Sequence, residues 1–146
     1  MPEPPPPHVG HLIRLAQQIH TRMWNATVSE EVTSPQFQLL FVLESAPNVD
    51  QRTATELARL DRSTGAELIE RLARHGLIER QRDQGDRRRY LLSLTPDGAA
   101  LVRGLFPAIG ELHLKMLDLV PEELRSPFLE ALRSFVSAAE ADVTDV

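Results

Sequence analysis

The sequence predicts a mostly helical protein with one small β-hairpin, and three observations support this fold class. Apolar residues recur at intervals of three and four along most of the chain, which is the periodicity of α-helices. Residues 77–95 instead contain two short strand-like runs on either side of the turn sequence DQGD. Residues that favour helix starts stand before several of the periodic segments, and Gly76 stands where one of them ends.

Length and composition exclude several classes of protein. The 146 residues favour a single domain, for which we expect residues 9–146, preceded by a flexible proline-rich leader at residues 1–8. The chain has no cysteine, which excludes disulfides, thiolate catalysis and thiol redox sensing. No apolar run approaches the roughly 18 residues of a membrane span, and the N-terminus does not resemble a signal peptide. We therefore expect a cytoplasmic protein without a membrane partner.

Charge is distributed unevenly along an acidic chain of net charge −5. Residues 51–90 carry ten Lys or Arg and seven Asp or Glu, a net charge of +3. The remaining residues carry six and fourteen, a net charge of −8. This segregation is typical of an anion-binding lobe attached to an acidic body.

Two helices precede the basic segment. The first extends from Val9 to about Val28. The second starts in the sequence TSPQF, where Ser34 suits the cap and Pro35 suits the first helical position, and Pro47 ends it.

The basic segment begins with two short helices joined by a tight turn. Asp50 caps the third helix, within residues 50–60, and Asp61 caps the fourth, which spans residues 62–75. Gly76 suits the position after the end of the fourth helix. Two short capped helices joined in this way form a helix-turn-helix.

After the fourth helix the hydrophobic period changes to that of strands. The segments LIERQR and RRRYLLSLT are strand candidates, and DQGD supplies turn residues between them. A hairpin directly after a helix-turn-helix makes it winged, so we place a winged helix-turn-helix at residues 33–96. Thr95 then caps a long helix that Pro107 is expected to kink or break, and Pro121 and Pro127 start segments that end near residue 140.

A helix-turn-helix places the N-terminal end of its second helix in the DNA major groove. Arg62 would reach guanine or phosphate there, while Glu67 would either repel phosphate or accept from a cytosine amino group. The hydroxyl groups next to Arg62 suit phosphate oxygens or base edges, and Gly65 would let the helix approach the duplex closely. The DNA-binding candidates on this helix are Arg62, Ser63, Thr64, Ala66, Glu67 and Arg71.

The wing carries the stretch DQGDRRRY, with three consecutive arginines. Side chains two residues apart on a strand point to the same side, so Asp86 can hold the Arg88 guanidinium extended. An arginine fixed at the tip of a narrow ribbon can enter the minor groove, where the potential is most negative over A·T-rich sequence. Arg87 and Arg89 would face flanking phosphates. A solvated charged loop is the alternative.

These residues resemble the MarR family of winged-helix transcription regulators over about residues 9–140. The segment DRSTGAELIERLARHGLIERQRDQGDRRRYLLSLTPDG matches the family's D-R-S-T helix start, its R-L-x-x-x-G-[LW]-[IV]-x-R segment, its wing D-x-R and its L-T-x-x-G. The resemblance implies homodimers with an interleaved lobe of N- and C-terminal helices, residues 9–30 and 97–140. It also assigns minor-groove contact to Arg88 and the orientation of that arginine to Asp86. A dimer implies a pseudo-palindromic operator in double-stranded DNA.

Four positions of the winged helix-turn-helix depart from the family pattern, as does Pro107 in the long dimerisation helix. Ala54 and Thr55 replace a common Leu-Ala pair, so we expect looser packing of the third helix. Gly65 and Glu67 stand where larger apolar and basic or polar residues are common, so base recognition is not carried over.

The resemblance also implies a small effector molecule. Many family members are repressors released by small phenolic or aromatic carboxylates, and TSPQF and DQRT resemble the branch that often senses aromatic acids. Arginine can bind a carboxylate, histidine a ring hydroxyl, and aromatic side chains supply apolar walls. The ligand-binding candidates are Arg14, His20, Trp24, His11, Phe37 and Phe41. The alternatives are a core position for Trp24, a surface or dimer contact for His11 and an ion pair within the dimer for Arg14.

The leading hypothesis is a homodimeric DNA-binding repressor released by an aromatic acid. The alternative is a winged-helix protein–protein interaction module without DNA binding, which the acidic remainder and the exposed Glu67 and Glu70 favour. No phosphate loop, zinc triad or nucleophile–base pair stands at recognisable spacing, so we predict no enzyme, no catalytic residue and no cofactor. No acid or third histidine is placed to complete a metal site with His8 and His11.

Overall fold

The computed structural model describes residues 1, 6 and 8–144, so most of the proposed leader lies outside the described residues. The fold is the expected one, mostly helical with a small antiparallel sheet. Among the described residues, none of the helices is long and apolar enough to cross a membrane. The elements in chain order are α1 (Val9–Thr27), α2 (Ser34–Ser45), β1 (Val49–Asp50), α3 (Gln51–Leu57), α4 (Arg62–Arg74), β2 (Ile78–Arg82), β3 (Tyr90–Leu94), α5 (Pro96–Asp118) and α6 (Glu122–Thr144).

The chain divides into two compact units, Met1–Ile109 and Gly110–Val146. The first contains α1 to α4, the sheet and the first part of α5, and the second contains the rest of α5 and α6. Neither interior proline breaks its helix: α5 runs through Pro107, where the sequence predicts a kink or a break, and α6 runs through Pro127, where it predicts the start of a new segment. A proline removes one backbone hydrogen bond. Eleven helical residues on either side of Pro107 keep α5 continuous.

The core of the first unit joins α2, α4, β3 and α5. Each of these elements contributes at least one side chain that water does not reach, and burying one such aliphatic side chain stabilises the fold by roughly 1.5–3 kcal/mol. The largest fully buried side chains are Leu39, Leu40, Leu43, Ile69, Leu72, Leu92 and Val102.

The start of α2 is capped by Thr33 rather than by Ser34. The Thr33 hydroxyl accepts from the backbone N–H of Gln36 (3.3 Å), and the Gln36 side chain accepts from the N–H of Thr33 (3.0 Å). This reciprocal capping box satisfies two N–H groups that a helix end leaves unpaired, so it determines the residue at which α2 begins.

Helices α3 and α4 approach each other most closely at Gly65. This glycine is buried, and a β-carbon built on it would collide with the methyl group of Thr55 and lie 2.7 Å from the Thr55 hydroxyl. Gly65 therefore faces α3, and the expectation that it lets α4 approach DNA is wrong. Thr55 is itself buried, and its hydroxyl donates to the carbonyl of Gln51 (2.8 Å). The larger residue on α3 fills the space left by the glycine, so the expected looser packing is not observed.

Residues in the left-handed region end both helices of the helix-turn-helix. Arg59 follows α3 with φ 57°, and Gly76 follows α4 with φ 72°. The glycine adopts this conformation without a steric cost and ends α4 as predicted.

The sheet has three antiparallel strands in the order β1-β3-β2. Strand β1 was not predicted, because two residues carry no periodic signal. It places Asp50 opposite Leu91 of the hairpin, so the N-cap of α3 lies against the wing. Strand β2 ends at Arg82 as predicted, whereas β3 begins only at Tyr90, three residues later than predicted. The three arginines at 87–89 consequently lie in the turn.

We expect Gly65→Ala to destabilise the protein, although alanine is the better helix former by about 1 kcal/mol. Overpacking against Thr55 should lower the free energy of unfolding by roughly 1–3 kcal/mol, measured by urea titration. The double variant Thr55→Ala, Gly65→Ala should recover much of that loss.

Gly104→Ala is the matched control. A β-carbon at this helical position meets nothing within 4 Å, so the substitution should raise the free energy of unfolding. If Gly65→Ala stabilises the protein as Gly104→Ala does, the proposed close contact between α3 and α4 is absent.

Candidate nucleic-acid interface

A groove of about 560 Å³ lies between α3, the start of α4 and the wing strands. Its lining is rich in arginine and contains only two carboxylates, so it suits an extended anion. The residues that line it are Asp50, Gln51, Arg52, Thr55, Glu56, Leu60, Arg62, Arg80, Arg88, Arg89 and Tyr90.

Asp61 organises the first turn of α4. Its carboxylate accepts from the Thr64 backbone N–H (2.8 Å), the Thr64 hydroxyl (2.7 Å) and the Ser63 hydroxyl (2.8 Å). These hydrogen bonds, above all those from Thr64, hold the pKa of Asp61 at about 2. The hydrogens of both hydroxyl groups are thus directed to Asp61. Ser63 and Thr64 can accept from a base amino group without rearrangement, but donation to a phosphate requires them to leave the cap.

The other candidates on α4 do not share one surface. Arg62 lines the groove, while Ala66 and Glu67 are exposed on the helix. Arg71 instead lines a second cavity of about 750 Å³, together with Glu30, Glu31 and seven further residues. The structure therefore separates Arg71 from the arginines of the groove.

The wing turn is closed by backbone hydrogen bonds. The N–H of Asp83 donates to the carbonyl of Arg89 (3.0 Å), and the N–H of Arg89 donates to the carbonyl of Asp86 (3.0 Å). The Asp86 carboxylate accepts from the backbone N–H of Arg88 at 3.0 Å rather than from its guanidinium. Asp86 therefore fixes the backbone beneath Arg88. The alternation expected for a strand does not apply, because these residues lie in a turn.

Arg89 is tied to the helix-turn-helix, although we expected it to face a phosphate. Its guanidinium donates to the Asp50 carboxylate at 2.7 Å. Asp50 also accepts from the backbone N–H (3.0 Å) and the hydroxyl (2.8 Å) of Thr53. The bonds from Thr53 and the contact with Arg89 lower the pKa of Asp50 to about 2, and the pair in turn raises the pKa of Arg89.

Three wing residues that are not among the predicted contacts form a cluster around Tyr90, which lines the groove. Arg80 and Arg82 are two positions apart on β2 and point to the same side of the strand. Arg82 pairs with Tyr90 in the strand register. The guanidinium carbons of Arg80 and Arg82 lie 5.8 Å and 5.2 Å from the centre of the Tyr90 ring, which is within cation–π distance. Tyr90 is half-buried and supports these two arginines. The period-two spacing of Arg80 and Arg82 was the signal that could have found them.

The polar ligand-binding candidates on α1 form two separate contacts. Arg14 approaches His11, with 3.3 Å between Nη2 and Nδ1. His20 approaches Trp24, with 6.1 Å between ring centres. His20 lies six positions after Arg14, about 9 Å along the helix axis, and on a different side of the helix. Trp24 is buried, and its indole N–H donates to the carbonyl of Val32 (2.6 Å).

The aromatic candidates form one cluster. Phe37 lies 5.9 Å from Trp24 and stacks on Phe41 at 6.0 Å. Phe106 of α5, which the sequence analysis did not select, meets both phenylalanines edge-on at about 6 Å. Phe41 and Phe106 remain 37% and 43% exposed, so the cluster offers an apolar surface to a further group. The six ligand-binding candidates line neither of the two cavities described above.

Comparison with known proteins gives consistent results. Residues 31–89 match the model of the MarR family. The chain is similar to the PcaV transcriptional regulator of Streptomyces coelicolor in complex with its natural ligand, with 42% identity, 90% of this chain and 94% of that chain covered, and a TM-score of 0.84.

Two further relatives are more distant. The transcriptional repressor NicR of Pseudomonas putida is 29% identical over 90% of this chain and 84% of its own length. A structure of Bordetella bronchiseptica BpsR, whose DNA binding is regulated by 6-hydroxynicotinic acid, is 27% identical, with 94% of this chain and 99% of that chain covered and a TM-score of 0.83.

Proposed function

We propose that this chain, which belongs to the MarR family of transcription regulators, is a homodimeric repressor that a small aromatic carboxylate releases from a pseudo-palindromic operator. The observation that carries the proposal is the arginine-lined groove between the helix-turn-helix and the wing. It combines a helix end suited to the major groove with an exposed arginine at the wing turn.

The charges around the groove support binding to a DNA backbone. Arg62 and Arg80 lie on its helix and strand sides, and Arg88 lies at its wing end. Within the described part of the chain, the Arg88 guanidinium has no hydrogen-bond or ion-pair partner, whereas its backbone is fixed by Asp86. An arginine held in this way is free to enter a minor groove beside the major groove that α4 occupies.

Exposed apolar stripes support the proposal of a homodimer. On α1, Val9, Leu12 and Ile13 are each about half exposed or more. On α6, exposed apolar residues recur at intervals of three and four, at Leu124, Phe128, Leu132, Phe135 and Val136. A helix buries such a stripe against another element, and a second copy of the chain supplies matching helices.

Two observations support an aromatic carboxylate as the releasing ligand. BpsR, a relative of similar structure, responds to 6-hydroxynicotinic acid, which is both aromatic and acidic. In this chain, Arg14 supplies a bidentate partner for a carboxylate, and the partly exposed cluster of Phe41 and Phe106 supplies an apolar wall. His20, next to Trp24, lies on a different side of α1 from Arg14, so the two residues do not contact the same face of one ligand.

Replacing Arg88 by alanine should weaken operator binding by at least about fivefold. A contact to base edges in a DNA groove typically contributes more than about 1 kcal/mol to the free energy of binding. The affinity should also fall less steeply with salt, since one cation fewer displaces counterions from DNA. Fluorescence anisotropy with DNA from upstream of the chain's own gene, at several salt concentrations, measures both quantities.

Arg22→Ala is the matched control for this experiment, because it removes an exposed arginine of α1 outside the basic segment. If Arg88→Ala binds like wild type at every salt concentration, the assignment of Arg88 is wrong. If the wild type binds no DNA at low salt, the chain is instead a protein–protein interaction module.

Arg14→Ala should abolish release of the operator by aromatic acids while leaving DNA affinity in their absence unchanged. Benzoate, the hydroxybenzoates and 6-hydroxynicotinic acid form a suitable panel, titrated into the protein–DNA complex. Arg14→Lys keeps the charge but loses the planar pair of donors, so its response should lie between those of Arg14→Ala and wild type. A panel in which no compound releases DNA or raises the melting temperature contradicts the ligand proposal.

A further inference from the structure

We propose that Asp50 and Arg89 are positioning residues that fix the wing against the helix-turn-helix and so determine how well the protein distinguishes its operator from other DNA. This inference rests on the proposed DNA-binding function. It assigns a role to an ion pair between residues that are 39 positions apart in the sequence.

Asp50 connects three parts of the DNA-binding lobe. Its backbone lies in β1, which pairs with the wing strand β3. One carboxylate oxygen accepts from the Thr53 N–H and caps α3, while the other accepts from both the Thr53 hydroxyl and Arg89. The Asp50 side chain is only 18% exposed, so its position is set by the surrounding fold and not by solvent.

Arg89 transmits this position to the wing turn. Its carbonyl and its N–H both take part in the hydrogen bonds that close the turn, with Asp83 and Asp86. The guanidinium of the same residue is fixed on Asp50 at 2.7 Å. Arg88 precedes Arg89 directly, so the distance from the proposed minor-groove contact to α4 depends on this ion pair.

The ion pair has an electrostatic cost for DNA binding. Asp50 places a negative charge in the groove and neutralises the charge of Arg89 by pairing with it. Both effects weaken the attraction between the groove and DNA phosphates. This cost is the same for every DNA sequence, because phosphates carry no sequence information. A fixed distance between the wing and α4 instead depends on the DNA sequence. It favours sequences in which the major-groove site for α4 and the minor-groove site for the wing lie at that distance.

Glu56 provides a matched comparison within the same groove. It is also an acid of α3, but it pairs with Arg52 of the same helix at 2.9 Å, and within the described residues it forms no hydrogen bond or ion pair with the wing. Glu56→Gln therefore changes the charge of the groove as Asp50→Asn does, without releasing the wing.

The test measures dissociation constants for operator and for random DNA of equal length, using wild type, Asp50→Asn, Arg89→Gln, the double variant and Glu56→Gln. Asparagine caps helices about as well as aspartate, so α3 should persist in Asp50→Asn. Each single variant should lower the ratio of random to operator dissociation constants by about two- to fivefold, and the double variant should lower it no further than the larger single effect. Glu56→Gln should strengthen binding to both DNAs equally and leave the ratio unchanged.

Three outcomes overturn the inference. In the first, Asp50→Asn and Arg89→Gln leave the ratio of random to operator dissociation constants unchanged. In the second, Glu56→Gln lowers this ratio as much as they do. In the third, the double variant lowers it by the product of the two single effects. Melting temperatures show whether a variant remains folded. Arg89→Gln tests the ion pair without removing the Asp50 cap of α3. A wild type that does not prefer operator to random DNA contradicts the proposed function itself.

Discussion

The close contact between Thr55 and Gly65 is the constraint on which the DNA-binding lobe depends. Because Gly65 has no β-carbon, α4 packs against α3 at a distance that any larger residue would prevent. The two helices carry opposite sides of the arginine-lined groove, with Arg52 on α3 and Arg62 on α4. The width of the groove and the direction of the start of α4 therefore follow from packing in the interior, not from any residue that would contact DNA.

Carboxylates position the arginines of this acidic protein. Asp61 caps the first turn of α4, and Asp86 fixes the backbone of the wing turn. Asp50 binds the guanidinium of Arg89 at the start of α3. The pKa values of Asp50 and Asp61 are both lowered to about 2, so these acids remain ionised at any pH near neutrality. The arginines of the lobe are thus held at fixed positions. This favours sequence-specific binding over non-specific attraction to DNA phosphates.

Local signals predicted much of the fold, and tertiary contacts account for the differences. The caps at Asp50 and Asp61 and the left-handed Gly76 depend on neighbours within a few residues, and all three were predicted correctly. Strand β1 exists only because the hairpin pairs with it, and the inward orientation of Gly65 depends on Thr55. The strand alternation used for Arg88 failed because the turn extends to Arg89, and the Asp50–Arg89 pair has no local signal at all. The winged helix-turn-helix was predicted from the two capped helices and the change of hydrophobic period, and the family resemblance agrees with it.

We propose that one surface of the protein contacts two grooves of the same DNA, with α4 in the major groove and the wing in the minor groove. Chemical footprinting of the operator tests it most directly, because hydroxyl radicals probe the minor groove and dimethyl sulfate probes guanine N7 in the major groove. We expect two half-sites related by two-fold symmetry, each with guanine protection beside a minor-groove segment protected from hydroxyl radicals. Major-groove protection without adjacent minor-groove protection would contradict the role given to the wing.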